Sequence, residues 1–206
     1  MNTNTLPGDL LDKLVIADLI QSERHYHDQH QWERLCTLYH PDSCVRVGWF
    51  VGTGAEYAQA SQRMESGKGG WQIRHITHPT MVHVYGDRAL AETTTLIIRR
   101  AQLEGVLVDV TIYCQLYSRV EKRDDAWRIL TIDVIYEKDT AVPVYASDHF
   151  EPDREELEKG PAAYRFSTYN LKRIGYTVDP EKLYTTNRPE RVAQLHREAE
   201  DWLYQG

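Results

Sequence analysis

Asp28 and His75 are the side chains of this 206-residue chain whose types suit acid/base chemistry without a cofactor. Asp28 lies in His25-Tyr26-His27-Asp28-Gln29-His30, four residues before Trp32, where one helix gives way to the next. His75 follows about fifty positions on, in Ile73-Arg74-His75-Ile76-Thr77-His78-Pro79-Thr80. A neutral histidine whose ring N–H is held by a carboxylate has one defined tautomer, and its other nitrogen is free to take a proton from carbon or oxygen. Proton removal beside a carbonyl or a leaving group gives dehydration, dehydrohalogenation, isomerisation or ring closure. Each needs, besides the base, only acid/base groups and a donor to the developing oxyanion. Tyr26, Tyr57, Tyr113, Arg100 and the tryptophans are available as donors, and Trp49, Phe50 and Trp71 suit the lining of a pocket or core. Taken singly, an aspartate at a helix end is also a cap or salt-bridge partner, and a histidine on a strand is also a hydrogen-bonded core residue. The functional reading therefore depends on whether the two side chains meet.

The elements that must position them are legible in outline. Asp9 and Asp12 resemble an N-cap with an acid at N3, and Leu10, Leu11, Leu14, Val15, Ala17 and Leu19 form a wide apolar stripe, predicting a helix to about His27. Trp32, Leu35, Cys36 and Tyr39 predict a second short helix stopped by Pro41-Asp42. Val45 to Val51 alternates as a strand ending at Gly52-Thr53-Gly54, and Ala55 to about Ser66 reads as a third helix. From Trp71 the period becomes two. The spans Trp71 to Tyr85, Ala89 to Leu103, Val106 to Val120 and Trp127 to Glu137 predict long antiparallel strands joined at Gly86-Asp87, Glu104-Gly105 and Lys122-Arg123-Asp124-Asp125. Strands this long suggest a strongly bent sheet wrapped around the first helix. Strand parity places Trp71, Ile73, His75 and Thr77 on one face and Arg74, Ile76 and His78 on the other. Adjacent Arg99 and Arg100 must likewise face opposite sides. After Pro143 the chain is polar and proline-punctuated, with helices predicted over Ala162 to Ile174 and Pro189 to Leu203.

Composition narrows the function classes. With 41% hydrophobic residues the chain holds one sizeable core, and a formal charge of -7 with no Lys/Arg cluster makes nucleic acid an unexpected partner. No signal-peptide pattern and no apolar run of membrane length is present, so a cytoplasmic protein without a membrane partner is expected. Cys36, Cys44 and Cys114 match neither a disulfide framework nor a zinc spacing. His25, His27 and His30 lack i,i+4 spacing with one another and have no downstream Cys/His partner group, so no metal is expected.

In order and spacing, Asp28-Gln29-His30-Gln31-Trp32-Glu33-Arg34-Leu35 with Tyr39-His40-Pro41-Asp42, then Arg74-His75-Ile76-Thr77-His78-Pro79-Thr80, Tyr85-Gly86-Asp87-Arg88-Ala89 and Tyr117-Ser118-Arg119-Val120-Glu121-Lys122 resemble the nuclear transport factor 2-like superfamily. Within it the chain is similar to the SnoaL-like branch, which includes scytalone dehydratase, hexachlorocyclohexane dehydrochlorinase and bile acid 7α-dehydratase. The resemblance covers residues about 10 to 140. It implies an α+β fold: a cone-shaped barrel of strongly bent, mixed or antiparallel sheet around an N-terminal helix, with an apolar pocket at its open end. Residues 1–141 would form this domain and residues 142–206 a helical extension packed on the barrel or on a neighbouring subunit. It also implies that Asp28 and His75 match the catalytic Asp and His of the dehydratases. The tyrosine that those enzymes often place just before the Asp is replaced here by His27, with Tyr26 one position further back as the nearest candidate acid. A second catalytic His has Arg99-Arg100 in its place.

The expected function is a cofactor-independent lyase or isomerase, dehydratase-like, acting on a small and mostly apolar cyclic metabolite. Asp28, His75 and Tyr26 are the catalytic candidates, and Trp49, Tyr57, Trp71, Arg100 and Tyr113 the substrate-binding ones. The alternative is a non-catalytic binding or assembly subunit of the same fold, like the small subunit of ring-hydroxylating dioxygenases. The resemblance further implies a homo-oligomer, a dimer or trimer.

Overall fold

The computed structural model describes residues 7–66 and 73–205, and the predicted start of the long strand at Trp71 lies outside them. Helix α1 (Pro7–Asp28) buries Ile16, Leu19 and Ile20. Its earlier apolar residues Leu10, Leu11, Leu14 and Val15 are exposed, so only part of the apolar stripe reaches the core. His30, in left-handed backbone (φ 57°), turns the chain into α2 (Trp32–Thr37).

Strand β1 (Tyr39–Val47) begins earlier than expected and contains Pro41, where the ladder to its neighbour slips between Tyr39 and Cys44. A proline is tolerated where a strand is irregular, so it did not stop the chain here. The single strand predicted over Val45 to Val51 is a hairpin: Gly48-Trp49 turns β1 back into β2 (Phe50–Gly52), with Val47 opposite Phe50. Helix α3 (Gly54–Ser66) then packs on β1, and a Cβ at Gly54 would stand 2.2 Å from the Tyr39 ring.

The next strand is also divided. His78-Pro79-Thr80 separates β3 (Ile73–Thr77) from β4 (Met81–Tyr85), because proline supplies no ladder donor; both segments pair antiparallel with β5 (Arg88–Leu103). The meander continues through β6 (Val106–Arg123) and β7 (Ala126–Pro143), with Asp124, Asp125 and Gly105 at positive φ in the turns. The strand order is β2-β1-β7-β6-β5-β3, with β1 parallel to β7, which makes the sheet mixed. Helix α1 touches β3 and β4 at one end of this order and β7 near the other. The sheet is thus curled about the helix, and among the described residues its end strands do not join.

Beyond β7 come α4 (Arg154–Glu158), α5 (Arg165–Arg173), β8 (Tyr184–Thr185), which lies parallel to β7, and α6 (Pro189–Tyr204). Tyr164, Leu171, Val178 and Leu183 join the same central cluster as Ile16, Tyr39 and Trp127. Helix α6 covers the opposite face of the sheet, with Leu195, Ala199 and Leu203 against Leu90, Tyr117 and Ile135. No described helix is long and apolar enough to cross a membrane.

Candidate active site

The last turn of α1 carries Arg24, His27 and Asp28 at i, i+3 and i+4, which lie together on a helical surface. A carboxylate at a helix C-terminus meets the negative end of the dipole and cannot act as an N-cap. Asp28 is held instead by β3. His75 Nδ1 lies 2.6 Å from Asp28 Oδ1, the His75 backbone N–H donates to Oδ2 at 2.7 Å, and Arg74 Nη1 donates to the Asp28 carbonyl at 2.7 Å. Both side chains are nearly inaccessible, at 4% for His75 and 9% for Asp28. Strand parity holds on β3: Ile73 is buried, whereas Arg74, Ile76 and His78 are exposed.

A third group fixes the protons. Arg24 Nη1 lies 3.2 Å from His75 Nε2. A guanidinium only donates, so Nε2 must accept and the imidazole proton must sit on Nδ1, directed at Asp28. Arg24 is itself clamped by Glu23 through Nε and Nη2, and the Tyr39 hydroxyl donates to Glu23 Oε1 at 2.5 Å. Burial and the Arg24 charge hold the His75 pKa below its ordinary value despite Asp28. Burial alone would push the Asp28 carboxyl up, but the His27 and His75 rings and the His75 amide outweigh it, leaving it well below the carboxylate range. The dyad is thus a neutral imidazole on an ionised carboxylate.

His27 completes the polar corner. It is 2% exposed, its ring meets His75 edge-on at 5.2 Å and stacks on Tyr57 at 5.7 Å, and burial pulls its pKa down to about 4. Its Nδ1 lies 3.5 Å from Asp28 Oδ1 without a hydrogen bond. Ligand atoms of His27, Asp28 and His75 fall within 4.8 Å of one another, a spacing that a cation could bridge. The tautomer argues against it. The nitrogen that would ligate, His75 Nδ1, carries the proton required by Arg24 at the other side of the ring, and the guanidinium adds a positive charge next to the position.

These groups open into a cavity of about 60 Å³ with mainly apolar walls, among them Val47, Ile97, Ile112, Leu116, Ile132 and Val134. Trp49 and Tyr57 line it, whereas Trp71 lies outside the described residues. Three candidates are misplaced. Tyr26 is absent from the lining; its ring packs beneath the Arg34 guanidinium at 5.7 Å, one helical step off the face that carries His27 and Asp28. Arg100 points outward to a paired interaction with Asp109 at 2.8 and 2.9 Å. Tyr113 lies on the other face of β6 from Ile112, under the Lys138 ammonium at 4.6 Å. The β3–β5 register explains Arg100: His75 faces Ile97 and Ile73 faces Arg99, so the odd-numbered residues of this stretch share the cavity side and Arg99 lines it.

The cavity also takes Arg24, His27, Tyr136, Tyr164 and Asn170, none of them among the sequence candidates. Arg24 had a usable signal, four residues before Asp28 on one helix. Tyr164 and Asn170, from the proline-punctuated tail, had none. A second cavity of about 380 Å³ shares Val47, Trp49, Val134 and Tyr136 with the first and carries Arg46, Asp179, Lys182 and Arg191.

Comparisons with known proteins agree with this architecture. A family model described as the SnoaL-like domain matches residues 8–133. Pea pathogenicity protein 2 of Fusarium vanettenii is 27% identical over 169 residues, which span 81% of this chain and 72% of that protein. A PEP2-like protein of the same fungus is 24% identical, over 94% of this chain and 86% of its own length. Among solved structures, a type 2 hexachlorocyclohexane dehydrochlorinase superposes with a TM-score of 0.55 at 18% identity, covering 71% of this chain and 97% of that one. The type 3 enzyme from Novosphingobium barchaimii gives 0.53 at 19% identity, covering 70% and 97%. At such identities the likeness concerns the fold.

Proposed function

Since this chain belongs to the SnoaL-like domain family, we propose that it is a cofactor-independent acid/base lyase or isomerase, dehydratase-like, acting on a small and mostly apolar cyclic metabolite. The observation that carries this reading is the 2.6 Å contact between His75 Nδ1 and Asp28 Oδ1, buried at the wall of a largely apolar cavity. The structural relatives named dehydrochlorinase add support, since that name denotes an elimination.

In the proposed reaction the acidic carbon of the substrate takes the place of Arg24 Nη1 at His75 Nε2. The imidazole accepts the carbon-bound proton, and Asp28 stabilises the resulting imidazolium. The C–H electron pair moves into the neighbouring carbonyl. The oxyanion is met by the displaced Arg24 N–H, which remains anchored through Glu23. Collapse of the enolate then expels a β-substituent, either a halide or a hydroxyl that leaves as water after taking the proton back from His75. Return of the proton to a different carbon gives isomerisation instead.

The Arg24–His75 contact favours a second reading. A base already capped by a cation, beside a cavity of about 60 Å³, also fits a binding subunit that performs no chemistry. A panel of small hydroxylated and halogenated carbonyl compounds, assayed with the wild type, His75→Ala and Asp28→Asn, separates the two. Turnover reduced by a factor of about 10²–10⁴ in both variants is expected, with thermal melts verifying that each remains folded. Turnover unchanged in His75→Ala removes the mechanism, and binding without turnover supports the second reading.

A further inference from the structure

Arg99 is the second cation of the cavity, and it differs from the first. Arg24 has Glu23 as its counter-ion, whereas no carboxylate lies within 4.0 Å of Arg99 among the described residues, which include every Asp and Glu of the chain. Its one side-chain partner there is the Met64 sulfur on α3, 2.9 Å from Nη2. Glu65, the acid next to Met64, is turned to His30. Arg46, also partly buried, is by contrast paired with Asp133, and what sets Arg99 apart is that its unpaired guanidinium lines the cavity.

A guanidinium taken out of water without a counter-charge is costly, and such a group is ordinarily paired or placed where an anion will arrive. Desolvation at Arg99 is large enough to pull even a guanidinium down from its ordinary pKa. We propose that Arg99 is the receptor for a carboxylate on the substrate, so that the ligand class is a small alicyclic or aromatic monocarboxylic acid. The fork of a guanidinium matches a carboxylate in two parallel hydrogen bonds. A single positive charge without a salt-bridge partner suits a monoanion. A phosphate monoester would bring close to two negative charges near the ionised Asp28 that sits behind the His75 ring.

The sheet sets the geometry. Arg99 and His75 are a diagonal pair across β3 and β5, since His75 faces Ile97. Their Cβ atoms are thereby roughly 7 Å apart. A carboxylate gripped by Arg99 leaves the apolar body of the ligand along Ile97, Ile112 and Val134 toward the adjoining cavity of about 380 Å³, since about 60 Å³ alone does not hold a ring, and directs a ring C–H toward Nε2. Arg99 binds and orients the substrate in this scheme and takes no part in proton transfer.

That the ligand is a substrate rests on the acid/base reading; that it is an acid rests on Arg99 alone. Binding of benzoate and cyclohexanecarboxylate, each against its neutral amide, is measured calorimetrically with the full chain as wild type, His75→Ala, Arg99→Gln and Arg99→Lys. The acids are expected to bind the wild type and His75→Ala at least about tenfold more tightly than the amides. Arg99→Gln is expected to lose that preference and Arg99→Lys to retain part of it. In ligand-free protein, Arg99→Gln is expected to melt no lower than wild type, because it removes an unpaired buried charge. Equal binding of acid and amide, no binding of the acids at tens of millimolar, or a preference that survives Arg99→Gln overturns the proposal. An acid preference that persists while no carbonyl compound is turned over removes the acid/base reading and leaves the Arg99 assignment standing.

Discussion

At the scale of single residues, the site is defined by where its protons sit. Arg24 forces the His75 proton onto Nδ1, and Asp28 holds it there, so His75 is neutral in the resting protein. His27 is neutral for a different reason: burial outweighs the nearby Asp28 carboxylate. This has a measurable sign. A histidine whose folded pKa lies at about 4 is unprotonated in the fold while the unfolded chain protonates near 6.5, so stability is constant above that pH and falls between about 6.5 and 4. The loss due to His27 should be on the order of 3 kcal/mol. Denaturant titrations across this window should show the slope, and His27→Gln should retain only the part due to His75. An identical slope in the variant would show that His27 is protonated in the fold. The Asp28 carboxyl is depressed as well, and its contribution is lost only as pH falls below the ordinary carboxylate value. The Asp28–His75 pairing could be anticipated from the residues themselves. Arg24 shared the Asp28 helix face by its spacing, but Arg99 could not be ranked above the other arginines, because which of them reaches the cavity depends on the β3–β5 register.

At the scale of elements, periodicity gave reliable faces only where the register was also known. On β3 the alternation put Ile73, His75 and Thr77 on one face and Arg74 and Ile76 on the other, and only the burial of Ile73 shows that the first face is the inner one. On β5 the same rule could say only that Arg99 and Arg100 diverge, and the pairing of His75 with Ile97 was needed to choose between them. The divided elements were missed for a related reason. Gly48-Trp49 and His78-Pro79-Thr80 interrupt runs whose composition on either side still reads as strand. Where Gly54 starts α3, the helix approaches the Tyr39 ring so closely that no side chain fits. Tyr39 in turn donates to Glu23, which clamps Arg24. Gly54→Ala is therefore expected to destabilise the protein by about 1–3 kcal/mol in denaturant unfolding, and to lower activity through a displaced Tyr39. A variant as stable as the wild type would show that α3 shifts freely.

At the scale of the whole molecule, the tail is part of the core. Tyr164, Leu171, Val178 and Leu183 bury themselves in the cluster that holds α1 inside the sheet, and the Asp139 carboxylate accepts from the backbone of Arg165 and Ser167 to seat α5. A chain ending at residue 143 is expected to lose cooperative unfolding, read by near-ultraviolet circular dichroism and binding of a hydrophobic dye. A truncated form with native spectra would show that the sheet and α1 suffice. The helical character of the tail was legible from its spacing, but its insertion into the cavity wall was not, since nothing in a polar, proline-rich stretch encodes what it packs against.

The family match ends at residue 133, with Asp28 and His75 inside it, whereas Val134, Tyr136, Tyr164, Asn170 and Leu171 line the cavity from beyond that point. The proposed dyad and a large part of the mould around it are thus written in separate stretches of one chain. Substitution in the second stretch can reshape what is admitted while the dyad is left intact, which makes residues 134–171 the region in which to look for, or to engineer, a change of substrate at constant chemistry.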